Sequence, residues 1–156
     1  MASEAFAKIS GKDAKAGSWM VVNLEKKKVA FVAEGEGLES LKKALDDAQC
    51  MWACINVHGV DVRANVESTR HKLVQINWVG ENVPAMKKMG ALQGKGAIAK
   101  LFKGAALELN CNKPEEISTT EIVGKLSAAG GAHKPTYYAF GGGEKVDLNF
   151  YDKANK

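Results

Sequence analysis

The run SWMVVNL, residues 18–24, is apolar on successive positions rather than on alternate ones, and KVAFVAE, residues 28–34, repeats the pattern after EKK. A strand with one wet face alternates apolar and polar side chains, whereas a strand covered on both faces reads as a near-continuous apolar run. The two runs therefore predict a β-hairpin inside a sheet that carries helices on both sides.

The rest of the chain supplies those helices and further strands. GLESLKKALDDAQ (37–49) sets Leu38, Leu41 and Leu45 on one stripe, the spacing of an amphipathic helix. STTEIVGKLSAAGG (118–131) opens on the capping-box pair Ser118 and Glu121, buries Ile122, Val123 and Leu126, and stops at Gly130. Residues 3–16, with Ala5, Phe6 and Ile9, predict a short helix that ends before Gly17. Strands are expected over 52–59, 72–80 and 105–111. In the second of these, Lys72, Val74, Ile76 and Trp78 share a face. Residues 60–71 are polar and lack a clean period, which reads as a long loop or a frayed hairpin. This order predicts a mixed α/β (α+β) fold: a central mixed sheet of five to six strands with helices on both faces. A chain of 156 residues fits one domain, placed at 1–132. Residues 133–156 form an extension with five of the chain's eleven aromatics, an ordered hairpin or a self-association element.

GALQGKGAIAK (90–100) tempts a phosphate-loop reading. Three residues, not four, separate Gly90 from Gly94, and Gly96 follows Lys95 where a magnesium-binding hydroxyl belongs. Neither a phosphate loop nor a G-x-G-x-x-G dinucleotide pattern is present, so no cofactor is expected. Pro84 suits the first turn of a helix, and Ile98, Leu101, Phe102 and Ala105 form a clean stripe. Gly90, Gly94 and Gly96 each cost about 1 kcal/mol relative to Ala inside a helix. Residues 84–104 are therefore two helical pieces or one soft helix.

Net charge is +4, unevenly spread. Residues 70–103 carry Arg70, Lys72, Lys87, Lys88, Lys95, Lys100 and Lys103 against Glu81 alone, a net of +6 that leaves −2 elsewhere. Focused charge of one sign speeds encounter with an acidic partner. The window has few aromatics among its lysines and no RNA-recognition or zinc-finger pattern, so nucleic acid is not the expected partner. No apolar run approaches the ~20 residues of a membrane span, and the first residues lack a secretory pattern, so a cytoplasmic location is expected. Cys50, Cys54 and His58 are evenly spaced, yet an extended chain puts the outer two about 26 Å apart, too far for one ion. Free thiols and no metal are the expectation. His58, His71 and His133 neighbour no nucleophile elbow, and no enzyme is expected.

INWVGENVPAMKKM (76–89), the STRHKLVQINW approach to Trp78, FKGAALELN (102–110) and a closing LSAAGGA (126–132) resemble the actin-depolymerising-factor homology family, and within it the coactosins. The likeness covers roughly residues 4 to 132. It implies the family's fold, a cytoskeletal role, and binding to the sides of actin filaments with poor monomer binding and little severing. A cofilin-like severing or monomer-binding factor and an adaptor for another acidic protein are the alternatives. By resemblance, the basic residue opening the Trp strand falls on Lys72, with Arg70 beside it. The start of the long helix falls on Lys87 and Lys88, and the last helix contributes Glu121 and Lys125. Gly90, Gly94 and Gly96 stand where cofilins carry larger residues, which softens the helix implied to meet actin monomers.

Overall fold

A computed structural model describes residues 2–26, 28–64, 66–129, 135–141 and 143–148. Helix α1 (Ala2–Ser10) precedes the hairpin β1 (Ser18–Glu25) and β2 (Lys28–Glu36). Helix α2 (Leu38–Ala44) leads to a longer hairpin, β3 (Cys50–Arg63) and β4 (Val66–Val79). Helices α3 (Ala85–Gln93) and α4 (Lys95–Leu101), strand β5 (Leu107–Cys111) and helix α5 (Thr119–Ala129) follow, and β6 (Tyr137–Gly141) with β7 (Glu144–Asp147) closes the described chain.

Among the described residues these strands form one seven-stranded sheet with the path β2-β1-β3-β4-β5. All neighbours are antiparallel except β4 and β5. Strand β3 is the hub. One edge pairs with β4 along its whole length, and the other is shared between β1, at residues 52–55, and β6, at residues 58–60. The sheet exceeds the expected five to six strands because the aromatic extension contributes two.

The successive apolar residues of β1 face opposite ways, as two-sided burial requires. Trp19 and Val21 join a core with Met51, Ile55, Val74, Ile76 and Trp78, covered by Leu38 and Leu41 of α2 and Ile122, Val123 and Leu126 of α5. Met20 and Val22 join Trp52 and Cys54 on the other face, under Ala5 and Ile9 of α1 and Ile98 and Phe102 of α4. Tyr138, Phe140 and Leu148 from the last hairpin are buried in the first core. An isolated hairpin is marginal in water, so this burial and the pairing to β3 are what order it.

Several expected boundaries move. Helix α1 stops at Ser10, because Gly11, Lys12 and Asp13 offer no apolar side chain to bury and turn toward β1 instead. Helix α2 stops at Ala44, and the Asp46 carboxylate caps the next turn by accepting from Ala48 N (2.8 Å) and Gln49 Nε2 (3.1 Å). Residues 60–63 belong to β3 and 66–71 to β4, which stay in register from Cys50↔Val79 to Arg63↔Val66. Their polarity marks the part of the hairpin that projects beyond the helices, where Val62 and Val66 are exposed. Residues 84–104 resolve into two helices meeting at Gly94, whose missing side chain leaves room for Leu24. Ser118 caps α5 by accepting from Glu121 N at 3.1 Å. Phe150 and Tyr151 lie outside the described residues.

The glycines are not equivalent. Gly17 has φ +81° and its Cα lies against the backbone carbonyl of Phe140, where the last hairpin crosses the start of β1. A Cβ there meets main chain that cannot rotate away. Gly90 and Gly96 have no atom within 4 Å of where a Cβ would stand. Gly17→Ala is expected to destabilise the protein by more than about 2 kcal/mol. Gly90→Ala and Gly96→Ala should each stabilise it by about 0.4–1 kcal/mol. Urea unfolding of the three variants checks both signs.

Candidate functional site

The alternation of β4 carries one side of the chain from core to charge. Trp78, Ile76 and Val74 are buried on the α5 side of the sheet. Lys72, opposite Val57, is half-buried on the same face, and Arg70, opposite Gly59, is exposed. Ring carbons of Tyr138 and Pro135 fill the space a side chain on Gly59 would take, so the last hairpin supports the strand beneath Arg70. Among the described residues neither Arg70 nor Lys72 makes an ion pair. Lys72 is partly exposed at the rim of the core, where a long cation can cover apolar surface with its stem and still reach water.

Lys87 and Lys88 stand elsewhere. Both are exposed on α3, and their charges act on Cys50, which pairs with Val79 at the far end of the β3–β4 ladder. Seven strand residues from Lys72 to Val79 span about 23 Å. The +6 stretch of sequence is therefore not one patch in space. Glu121 and Lys125 are exposed on α5, where their charges act on Cys111, the partner of Trp78. They sit with the Trp78 end of the sheet, away from Lys72.

Helix α3 buries no residue, and Met86, Met89 and Leu92 are 85%, 66% and 63% exposed. At spacing three they form a short apolar ridge with Lys87, Lys88 and Lys95 around it. The sequence reading weighed this segment by its lysines and glycines and passed over the ridge, although the Met-x-x-Met-x-x-Leu spacing was its signal. The surface under α3 mixes apolar side chains with a row of amides. Gln75 Nε2 donates to Asn77 Oδ1 at 2.8 Å, and Asn77 Nδ2 donates to Asn110 Oδ1 at 3.0 Å. These amides line a 610 Å³ cleft with Trp52, Lys88 and Lys95. A second cleft of 380 Å³, lined by Asn23, Gln49, Cys50 and Lys87, opens on the other side of the helix.

The three cysteines are free thiols. Burial pushes the Cys54 thiol up to about 12 and Cys111 up to about 11. Burial also raises Cys50, against the opposing pull of Lys88 and Lys87. Thiols held above their ordinary range stay protonated near neutrality and make poor nucleophiles and metal ligands. Among the described residues no three His, Cys, Asp or Glu side chains converge to hold a metal ion, and no helix is long and apolar enough to cross a membrane.

The fold recurs in solved proteins. The crystal structure of coactosin from Entamoeba histolytica superposes with a TM-score of 0.70 at 22% identity, covering 83% of this chain and 94% of that one. The solution structure of mouse coactosin, an actin filament binding protein, gives 0.64 at 20% identity over 84% and 89% of the two chains. In sequence, the Entamoeba histolytica coactosin is 28% identical over 113 residues, 71% of this chain and 74% of that protein. Mouse drebrin-like protein is 31% identical over 125 residues, 80% of this chain; the chain spans about a quarter (26%) of that relative's length. Residues 1–127 match the sequence pattern of the cofilin/tropomyosin-type actin-binding proteins, and the chain belongs to that family.

Proposed function

We propose that this protein binds the sides of actin filaments through the rim of β4, with Arg70 and Lys72 as the principal contacts. The observation that carries the reading is the basic pair at the end of the buried stripe of β4, without a carboxylate partner among the described residues. Family membership and the likeness to mouse coactosin support it. Exposed cations held on a rigid strand keep their geometry on meeting an acidic surface, so they set orientation and on-rate. Glu121 and Lys125 on α5, and Lys87 and Lys88 on α3, are proposed as flanking contacts. Such a protein works in the cytoplasm, on the cytoskeleton.

Weak monomer binding and little severing follow from α3 in the same reading. Its ridge is short, is interrupted at Gly94 and carries Gly90 at its centre, so ordering it against a partner costs more than ordering an uninterrupted helix. A second reading, cofilin-like binding of monomers, is favoured by the exposure of Met86, Met89 and Leu92. An adaptor for another acidic protein is the outcome if filaments are not bound at all.

Two measurements separate these. In filament cosedimentation, Arg70→Ala with Lys72→Ala is expected to lower affinity by at least about tenfold, roughly 1.4 kcal/mol, with an unchanged melting temperature. Raising salt to about 0.15 M, where charges are screened within about 8 Å, should weaken the wild type more than the variant. Undiminished pelleting of a folded variant refutes the filament contact. Met86→Ser with Met89→Ser should change pelleting by less than about twofold under the side-binding reading, because side chains at the margin of a contact carried by charge contribute little. A large loss of binding to actin monomers in that variant would establish the second reading instead.

A further inference from the structure

On the α1 side of the sheet, away from the face that carries Arg70 and Lys72, two histidines lie against each other. His58 of β3 and His71 of β4 are cross-strand partners whose ring centroids stand 4.3 Å apart with planes 34° from parallel. Two positive imidazolium rings at that separation repel, so the packing suits a neutral pair.

The side chain between this pair and α1 is Asn56, which is fully buried. Its Nδ2 lies 2.8 Å from the Ile9 carbonyl and 3.0 Å from His71 Nδ1. An amide nitrogen carries two hydrogens. One must go to the Ile9 carbonyl, since the reversed amide would set oxygen against oxygen. The other then meets His71 Nδ1, which has to accept. That contact calls for the ring proton of His71 on Nε2 rather than Nδ1. Ile9 lies in the last turn of α1, where carbonyls have no partner within the helix. The main-chain oxygen of Asn56 accepts from Gly17 N at 2.7 Å, so one residue ties both ends of the connection between α1 and β1. His58 Nε2 is buried without a partner.

We propose that His58 and His71 form a proton-operated clasp on α1. A neutral pair holds the Asn56 amide on the Ile9 carbonyl. A proton taken from solvent by His71 Nδ1 sets N–H against N–H, puts one positive charge on the stacked rings, and drives the amide away, which releases the end of α1. The inference is independent of actin and does not rest on the filament reading.

The surroundings support this. Burial lowers the pKa of His58, the His71 ring lowers it further, and the Ala14 backbone works the other way. Charged residues lie on the neighbouring segments. Lys12, Asp13 and Lys15 are exposed in the connection after α1, Glu67 lies further along β4 and Glu108 on β5. Lys103 follows α4, and Lys145 of β7 stands beyond Ala139, 4.8 Å over the Tyr137 ring. The charge that acts on His58 is the adjacent imidazole. A histidine whose pKa is lowered on folding is protonated first in the unfolded chain. Its contribution is complete above the ordinary value of 6.5 and is lost as pH falls through and below it.

The test is amide hydrogen exchange on the full chain at about pH 7.5 and about pH 5.5, corrected for the intrinsic rate, which reports local opening directly. Protection of the last turn of α1 and of Gly17 should fall about tenfold more than that of Val21 in β1. His71→Asn keeps an acceptor near the Nδ1 position and removes the titrating ring. Its α1 protection relative to that of Val21 should agree at the two pH values to within about twofold, since what His58 loses on protonation is shared by the whole fold. A step that persists in this variant, or no step in the wild type, overturns the proposal. Nitrogen chemical shifts of the wild-type histidines at about pH 7.5 give a reading without mutation. They should show His71 protonated on Nε2, and a proton on Nδ1 overturns the clasp.

Discussion

The pairing of β3 with β4 is the constraint from which the rest of the molecule follows. Fourteen residues on each strand stay in register, from Cys50↔Val79 to Arg63↔Val66. Because side chains alternate, that register decides at once which residues enter which core. It sends Met51, Ile55, Val74 and Trp78 to α2 and α5, and Trp52 and Cys54 to α1 and α4. A slip of one residue would bury Gln75 and Asn77 under α5 and turn Trp78 to the amide-lined cleft. The ladder also outruns its neighbours. Strand β1 covers only part of the free edge of β3, and the last hairpin takes up residues 58–60.

That length separates charges the sequence places together. Arg70 and Lys72 ride on a strand whose direction is set by the core, while Lys87 and Lys88 ride on a helix at the opposite end of the ladder. A partner that meets both sets must be extended, or must present two surfaces. The two basic groups also differ in what holds them. The β4 pair stands on a two-sided sheet with the last hairpin alongside, whereas the α3 pair stands on a helix with no buried residue. Position on a rigid support is what turns a cation into a directional contact.

How much of this was legible in sequence depended on whether local pattern or distant pairing decided each part. The double-sided strands, the α5 cap at Ser118 and the family resemblance were all carried by local residue order. Residues 60–71 misled because polar composition signals a loop, whereas here long-range ladder bonds and the absence of covering helices produce a polar strand. The segment 3–16 misled in the other direction, since helical spacing in Phe6 and Ile9 says nothing of where the next strand must begin. Lys72 could be placed on the Trp78 strand, but not at its middle, since β4 begins at Val66, and its distance from Lys87 and Lys125 comes from topology alone. Asn56 carried no signal at all: its partners, Ile9 and His71, lie 47 positions before and 15 after it.

The layer of amides beneath α3 has a consequence for how such a protein changes over generations. A helix that buries no residue, meets the core through the partly buried Ala91 and flanks a cleft lined in part by Gln75, Asn77 and Asn110 is released from most of the volume matching that governs α5. Replacement of Met86 or Leu92 alters what the molecule touches and leaves its architecture intact. The exposed ridge of α3 and the packed scaffold can therefore drift on separate clocks.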